Sequence, residues 1–338
     1  MLEKMNTKRW IAVGIAVLIL GLSALSSGLS SLINREEQMK KVEESIRNSI
    51  GSFDRTVLEG ENADAKIAKI AVEGPIMDIP STPFAGTMAY DHRLTLAELD
   101  DILEDDTVKG VLLEVNSPGG GVFESAELHK KLKAIADADK TIYVSMGNMA
   151  ASGGYYISAP AKKIYAAPST ITGSIGVIMG GQNISGLLEK LGIADQAIKS
   201  AAHKDIGSTT RPMTEDERAI LQGVIDDMYG EFLKVVSEGR QMDIEQVRTL
   251  ADGSIYTGNQ AKANGLIDEI GYPEDVLAAL KTAIGAEDAQ VYEYTPGLSG
   301  SIFGNFFSKT SIENEVIEKL LFESLNAGAR PMYLYGGA

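Results

Sequence analysis

The sequence predicts an α/β fold built from parallel βαβ units, on three observations. From residue 66 onward, short apolar runs of strand type alternate with amphipathic runs of helix type. Two glycine-rich turns each stand directly after one of those strands. The chain of 338 residues is 44% hydrophobic, enough to cover both faces of a sizeable sheet.

The first element lies before that domain. Lys4, Lys8 and Arg9 precede Trp10, and residues 11–33 then run without a charge. As a helix that run spans roughly 34 Å, against a hydrocarbon core of about 30 Å. Ser23, Ser26, Ser27, Ser30 and Ser31 dilute its second half, which raises a cleaved leader as the rival, but no clear A-x-A site follows the apolar core. The reading adopted is a cytoplasmic N-terminus (1–9) and a single transmembrane anchor (10–33). The positive residues before the span put the rest of the chain outside the cytoplasm. Residues 34–62 are charged, helix-prone and poor in large apolar side chains, as a stalk or linker would be.

The compact domain is expected over 63–294. Residues 67–72 read as its first strand, 94–104 as a helix, 108–115 as a strand, 122–138 as a helix and 141–145 as a strand. Residues 163–166 and 174–179 read as further strands. Thr214 and Glu217 stand at capping-box spacing before a helix that reaches about Arg240, with Ile220, Ile225, Met228, Phe232, Leu233 and Val236 mostly on one face. That face suits the sheet or a neighbouring subunit. Residues 244–250 and 274–284 are shorter helices. Beyond them, 295–338 is rich in glycine and serine and is expected to be a mobile tail, ending in Met332-Tyr333-Leu334-Tyr335-Gly336-Gly337-Ala338.

Composition excludes several function classes. A net charge of −16 argues against a nucleic-acid partner. The absence of cysteine removes disulfides, thiolate metal sites and a thiol nucleophile. Three histidines, His92, His129 and His203, leave little scope for a histidine metal cluster, and none is expected.

The chemistry points to the two turns. Gly147-Asn148-Met149-Ala150-Ala151-Ser152-Gly153-Gly154-Tyr155-Tyr156 places a serine among small residues where a strand gives way to a helix. Amides at such a helix start stabilise an alkoxide or an oxyanion. Upstream, Asn116-Ser117-Pro118-Gly119-Gly120-Gly121 forms the second turn. Either one alone is an ordinary βα turn; together they supply a nucleophile and an oxyanion hole. The serine needs a base. His129, beside Lys130 and Lys131, reads as a solvated helix residue, His92 as a loop residue, and His203 as a weak candidate. A desolvated lysine is the alternative, its amine made neutral by burial. Lys199 and Lys204 both qualify, and spacing does not choose between them.

This constellation resembles the signal peptide peptidase A family, membrane-anchored serine proteases with a Ser-Lys dyad, in its short form. The resemblance covers about 66–294. It rests on the two turns, on Thr172-Gly173-Ser174-Ile175-Gly176-Val177, on Ile198-Lys199-Ser200 with Lys204-Asp205-Ile206, and on Ile255-Tyr256-Thr257-Gly258 with Gly265-Leu266-Ile267-Asp268. It implies a crotonase/Clp-protease-like βαβ superhelix. Ser152 becomes the nucleophile, Lys204 rather than Lys199 the general base, and Ser174 the residue orienting the lysine. The amide of Gly153, with Gly120 or Gly119, becomes the oxyanion hole. No cofactor is implied. The resemblance also implies remnant signal peptides and other unstructured peptides as substrates, and a homo-oligomeric ring whose neighbours share each active site. The C-terminal tail is a candidate substrate of its own enzyme. Ala201-Ala202-His203 departs from the glycine-proline-tyrosine-like run usual before the lysine. Three rival classes fit the sequence less well. Acyl-CoA hydratases and isomerases share the fold but have no use for an anchor; a Clp-type subunit needs a histidine near Val177; an inactive scaffold has no need of both serine and lysine.

Overall fold

The structure is a computed structural model that describes residues 53–78, 90–296 and 331–335. The expected anchor, and the stalk up to residue 52, lie outside the described residues. Among the described residues no helix is long and apolar enough to cross a membrane.

A mixed sheet of nine strands forms the centre. Its main path runs β1 (Phe53–Glu59), β10 (Ala289–Pro296), β2 (Asn62–Glu73), β3 (Val108–Ser117), β5 (Thr141–Ala151), β6 (Lys163–Ala166) and β9 (Glu269–Ile270). From β10 to β9 every neighbour on that path is parallel, while β1 runs antiparallel along one edge. Parallel central strands are covered on both faces, and β3 accordingly buries Val111, Leu112, Leu113 and Val115 in sequence. On one face Leu99 and Ile102 of helix His92–Glu104 and Leu128, Leu132 and Ile135 of helix Val122–Asp137 meet the sheet. On the other, Val276 and Leu280 of helix Pro273–Ile284 pack on Ile67, Leu112 and Tyr143. The α/β parallel-sheet class read from the sequence is therefore the one observed.

Polar contacts fix where the elements begin. The Asp91 side chain accepts from Leu94 N at 3.0 Å and starts the first helix. Thr214 and Glu217 form the expected capping box on helix Glu215–Arg240. Residues 53–59, expected as the end of a stalk, instead make β1. Arg55 joins that strand to Asp101 and Asp105, and Phe53 stacks edge-on to Tyr294 at 4.7 Å.

Two further expectations change. β5 continues past Ser145 to Ala151 because a second partner takes over, with Met149, Ala150 and Ala151 pairing with Ile171, Thr172 and Gly173 of β7 (Ile171–Gly173). Residues 174–179 make no strand: β7 ends at Gly173, and Ser174 turns the chain away with φ 50°.

His129 also differs from its reading as a solvated side chain. Its ring packs edge-on to Tyr156 at 5.2 Å, and burial, reinforced by Lys133 and opposed by Glu238, pushes its pKa down from 6.5 to about 4. Between those values the unfolded chain binds a proton that the folded chain refuses, so stability falls as pH drops from 6.5 towards 4. The loss expected is on the order of 3 kcal/mol. Replacing His129 by Gln should flatten the denaturant midpoint across that window; an unchanged slope would show that the imidazole is not the group involved.

Candidate active site

Ser152 sits where β5 ends and the short helix Gly153–Ser158 begins. Its backbone has φ 53° and ψ −116°, a conformation that costs a non-glycine residue about 1–3 kcal/mol. Two bonds hold it there: Ser152 N donates to Gly173 O at 2.7 Å, and Ser152 O accepts from Tyr156 N at 2.8 Å. The residue is 1% exposed, yet lines a cavity of about 250 Å³ together with Ser174, Val177, Ile178 and Gly253. Ser174 arrives through the pairing of Ala151 with Gly173, and its N–H donates to Ser254 O at 2.8 Å. The structure thus brings Ser152 and Ser174 together, both at positive φ.

The second glycine turn forms β4 (Gly119–Gly121). One edge is fixed to the body: Ile76 N donates to Gly119 O, and Gly121 N donates to Ile76 O, each at 2.9 Å. A Cβ on Gly120 would stand 1.9 Å from Ile76 O, so no side chain fits there. The other edge carries the end of the chain. β11 (Met332–Leu334) runs antiparallel to β4, with Tyr333 opposite Gly120. Tyr335 N donates to Pro118 O at 2.8 Å, so Gly120, two residues on, lies in the hydrogen-bonded register and its peptide faces Tyr333. Gly119 N donates instead to Ser117 Oγ at 3.1 Å. Across the groove, Met332 N and O exchange hydrogen bonds with Ile178 at 2.9 and 3.1 Å. The tail, expected to be mobile, is therefore a strand at these residues, with backbone partners on both sides.

The close approach is tightest at Gly119, where φ is +96°. A Cβ there would lie 2.0 Å from Tyr333 O and 2.6 Å from Gly153 N. The Tyr333 carbonyl, the Gly119 backbone and the Gly153 amide converge on a spot with no room for a methyl group. Leu334 and Tyr335 complete the wall of the Ser152 cavity.

The Tyr333 side chain fills an aromatic pocket and is 1% exposed. It stacks on Tyr156 at 4.9 Å, meets Phe232 at 4.6 Å, and donates its hydroxyl to Met228 O at 3.1 Å. Sequence reading missed this pocket, because its walls come from residues far apart in the chain. Behind the turns lies Ser125 Oγ, a fully buried polar atom without a hydrogen-bond partner among the described residues; a Cβ on Gly153 would come within 2.6 Å of it.

The two lysines occupy different environments. Lys199 Nζ donates to Asp205 Oδ1 at 2.8 Å and to Ala202 O at 3.3 Å. The Lys204 side chain has no hydrogen-bond or ion-pair partner among the described residues. Neither lysine lines the cavity at Ser152. Of the histidines, His92 is buried, with Nδ1 2.5 Å from Tyr90 Oη and Nε2 2.9 Å from Glu127 Oε2, rather than lying in a loop. His203 stands near the surface, 3.9 Å from Asp216. Neither lines the serine cavity.

A serine-bearing turn at a strand end, a glycine edge that pairs with a peptide strand, and a pocket for one side chain of that strand suit a peptidase. Comparison with known proteins agrees. The profile of peptidase family S49 matches residues 134–287. A protein of Enterococcus faecium named as a signal peptide peptidase SppA is 44% identical over 345 residues, covering 98% of this chain and all of the relative. A protein of Methanocaldococcus jannaschii named as a protease is 43% identical over 214 residues, 63% of this chain and 68% of the relative. Protease 4 of Salmonella typhi is 35% identical over 255 residues, 75% of this chain but 40% of its own length. The chain belongs to peptidase family S49 and is a serine peptidase.

Proposed function

We propose that the enzyme is a membrane-anchored endopeptidase that hydrolyses extended peptides, remnant signal peptides among them, outside the cytoplasmic membrane. The observation that carries this reading is the seating of Met332–Leu334 as a strand between Gly119–Gly121 and Ile178, with the Tyr333 carbonyl beside the Gly153 amide. A peptide bound this way contributes main-chain hydrogen bonds whatever its sequence, and one side-chain pocket selects among sequences. An acyl-CoA ligand would have no use for either edge of that groove. The N-terminal apolar run supplies the anchor in this reading.

Ser152 Oγ attacks the scissile carbonyl as neutral Lys204 takes its proton. The developing oxyanion is met by Gly153 N and by the Gly119–Gly120 turn, of which Gly120 faces the bound strand. The protonated lysine gives its proton to the leaving amine, and the C–N bond breaks. Water, deprotonated by the same lysine, then releases the acyl group from Ser152. Ser174, in the same cavity, orients the lysine amine. Lys204 reaches the site from an adjacent copy of the chain. Two observations support that arrangement: Lys204 is absent from the walls around its own Ser152, and residues 176–231 bury a single side chain, Glu217. Ile178, Leu187, Leu191, Ile193 and Ile198 are all at least half exposed there, as an apolar face awaiting a second copy would be.

The tail is then a substrate bound to its own enzyme, with Tyr333 on the acyl side. Intact-mass analysis should find the wild-type chain ending at Tyr333 and the Ser152→Ala chain at full length. A synthetic signal peptide in the same incubation should be cut only by the wild type. A full-length tail in both samples would remove the tail from the substrates; an uncut signal peptide would remove the substrate class.

A further inference from the structure

We propose that Arg211 is a positioning residue for the catalytic lysine, locking the Lys204 loop to the long helix through Asp205 and Glu217. This rests on the reading of Lys204 as the base. A base must be held within about 0.5 Å of its working geometry, and the Lys204 loop lacks the usual means. Between helix Ser185–Lys190 and helix Glu215–Arg240 there is no helix or strand, and no apolar side chain there is buried. Rigidity has to come from polar contacts.

The Arg211 guanidinium supplies them in one plane. Its Nε and Nη2 donate to the two carboxylate oxygens of Asp205 at 2.9 and 2.7 Å, and Nη2 also reaches Asp205 O at 3.3 Å. Its Nη1 and Nη2 donate to Glu217 Oε2 and Oε1 at 2.8 and 2.5 Å, and Nη1 to Pro212 O at 3.1 Å. Such a double fork fixes orientation as well as distance. Both carboxyls are held below their ordinary pKa by these bonds, Glu217 to about 2, so the pairs are ionised throughout the neutral range.

Each end of the bridge is attached to something that matters. Glu217 is 2% exposed and belongs to the capping box of a helix rooted in the core by Phe232, Leu233 and Val236. Asp205 follows Lys204 directly in the chain. Lys199 completes the cluster by its own bond to Asp205, so its ammonium balances the second carboxylate and is not free to act as a base. Two cations and two anions cancel, which leaves Lys204 as the lysine of the loop without a carboxylate partner among the described residues.

The test uses the full-length assembled enzyme carrying Arg211→Ala, Arg211→Lys or Glu217→Gln, with Lys204→Ala as reference. The expected result for Arg211→Ala is a kcat about 10–100-fold lower with KM within about twofold. The acid limb of its pH–kcat profile should move to higher pH, because a loosened lysine is better hydrated. Arg211→Lys keeps the charge but not the fork, and should recover only part of the loss. Unchanged kcat and pH profile in Arg211→Ala, with Lys204→Ala inactive, overturns the positioning role and leaves the base in place. An active Lys204→Ala enzyme overturns the base itself. Should Arg211→Ala fail to assemble, the decision passes to Glu217→Gln, in which a normal kcat and pH profile overturns the proposal.

Discussion

Replacing Ser152 by Ala should lower peptide hydrolysis by about 10⁴–10⁶-fold, the loss typical of a nucleophile that acts as a unit with its base. The fold should survive. Ser152 is 1% exposed, its neighbours in the turn are alanine and glycine, and removing one oxygen leaves no void to collapse. Bound peptide should survive as well, because the groove holds its strand through Pro118, Gly120 and Ile178 rather than through the serine. A peptide or tail that binds unchanged to an inactive enzyme is therefore the signature expected, and near-normal turnover in Ser152→Ala would overturn the assignment of the nucleophile. A companion variant, Ser152→Gly, separates chemistry from strain. Glycine accepts φ 53° and ψ −116° without steric cost, which relieves about 1–3 kcal/mol, and gives back about 0.5–1 kcal/mol in chain entropy. That variant should be equally inactive and more stable by about 1 kcal/mol in denaturant titration, whereas a midpoint at or below the wild-type value would mean that the turn is unstrained.

What the chain reveals of itself follows the range of the forces involved. The alternation of β2, β3 and β5 with their helices is local patterning, and so is the capping box at Thr214, so both are visible in one dimension. The extension of β5 to Ala151 was not, because Met149 and Ala150 owe their strand conformation to β7, a partner some twenty residues on. Ser174 was visible as a motif residue but not as the residue that ends a strand; the partner of its N–H, Ser254 O, is remote in sequence. The same limit hid the pocket formed by Tyr156, Met228, Phe232 and Tyr333, whose members lie on three separate elements. His129 was misread because the two lysines after it suggest solvent, whereas the face it shares with Leu132 turns it onto Tyr156. The composition of 295–338 predicts mobility, and nothing in Met332-Tyr333-Leu334 announces that the complementary edge is the chain's own glycine turn.

The lysine question separates the two remaining candidates by their partners. Lys204→Ala should approach the loss seen for Ser152→Ala, about 10⁴-fold or more, since serine and base act as one unit. Lys199→Ala should retain far more activity, because that ammonium is bonded to Asp205 and Ala202 O. The reverse ranking would move the base to Lys199 and leave the peptidase class intact. If the base is supplied by a neighbouring copy, two inactive chains can repair each other. Co-expressed Ser152→Ala and Lys204→Ala chains, mixing at random in a symmetric ring, would pair an intact serine with an intact lysine at roughly a quarter of the sites. Recovery of that order, measured on oligomers shown by mass to contain both chains, would place the dyad across the interface. Mixed oligomers as inactive as either parent would require Lys204 to reach the serine of its own chain, through a movement of the Arg211-braced loop towards the cavity of Ser152 and Ser174.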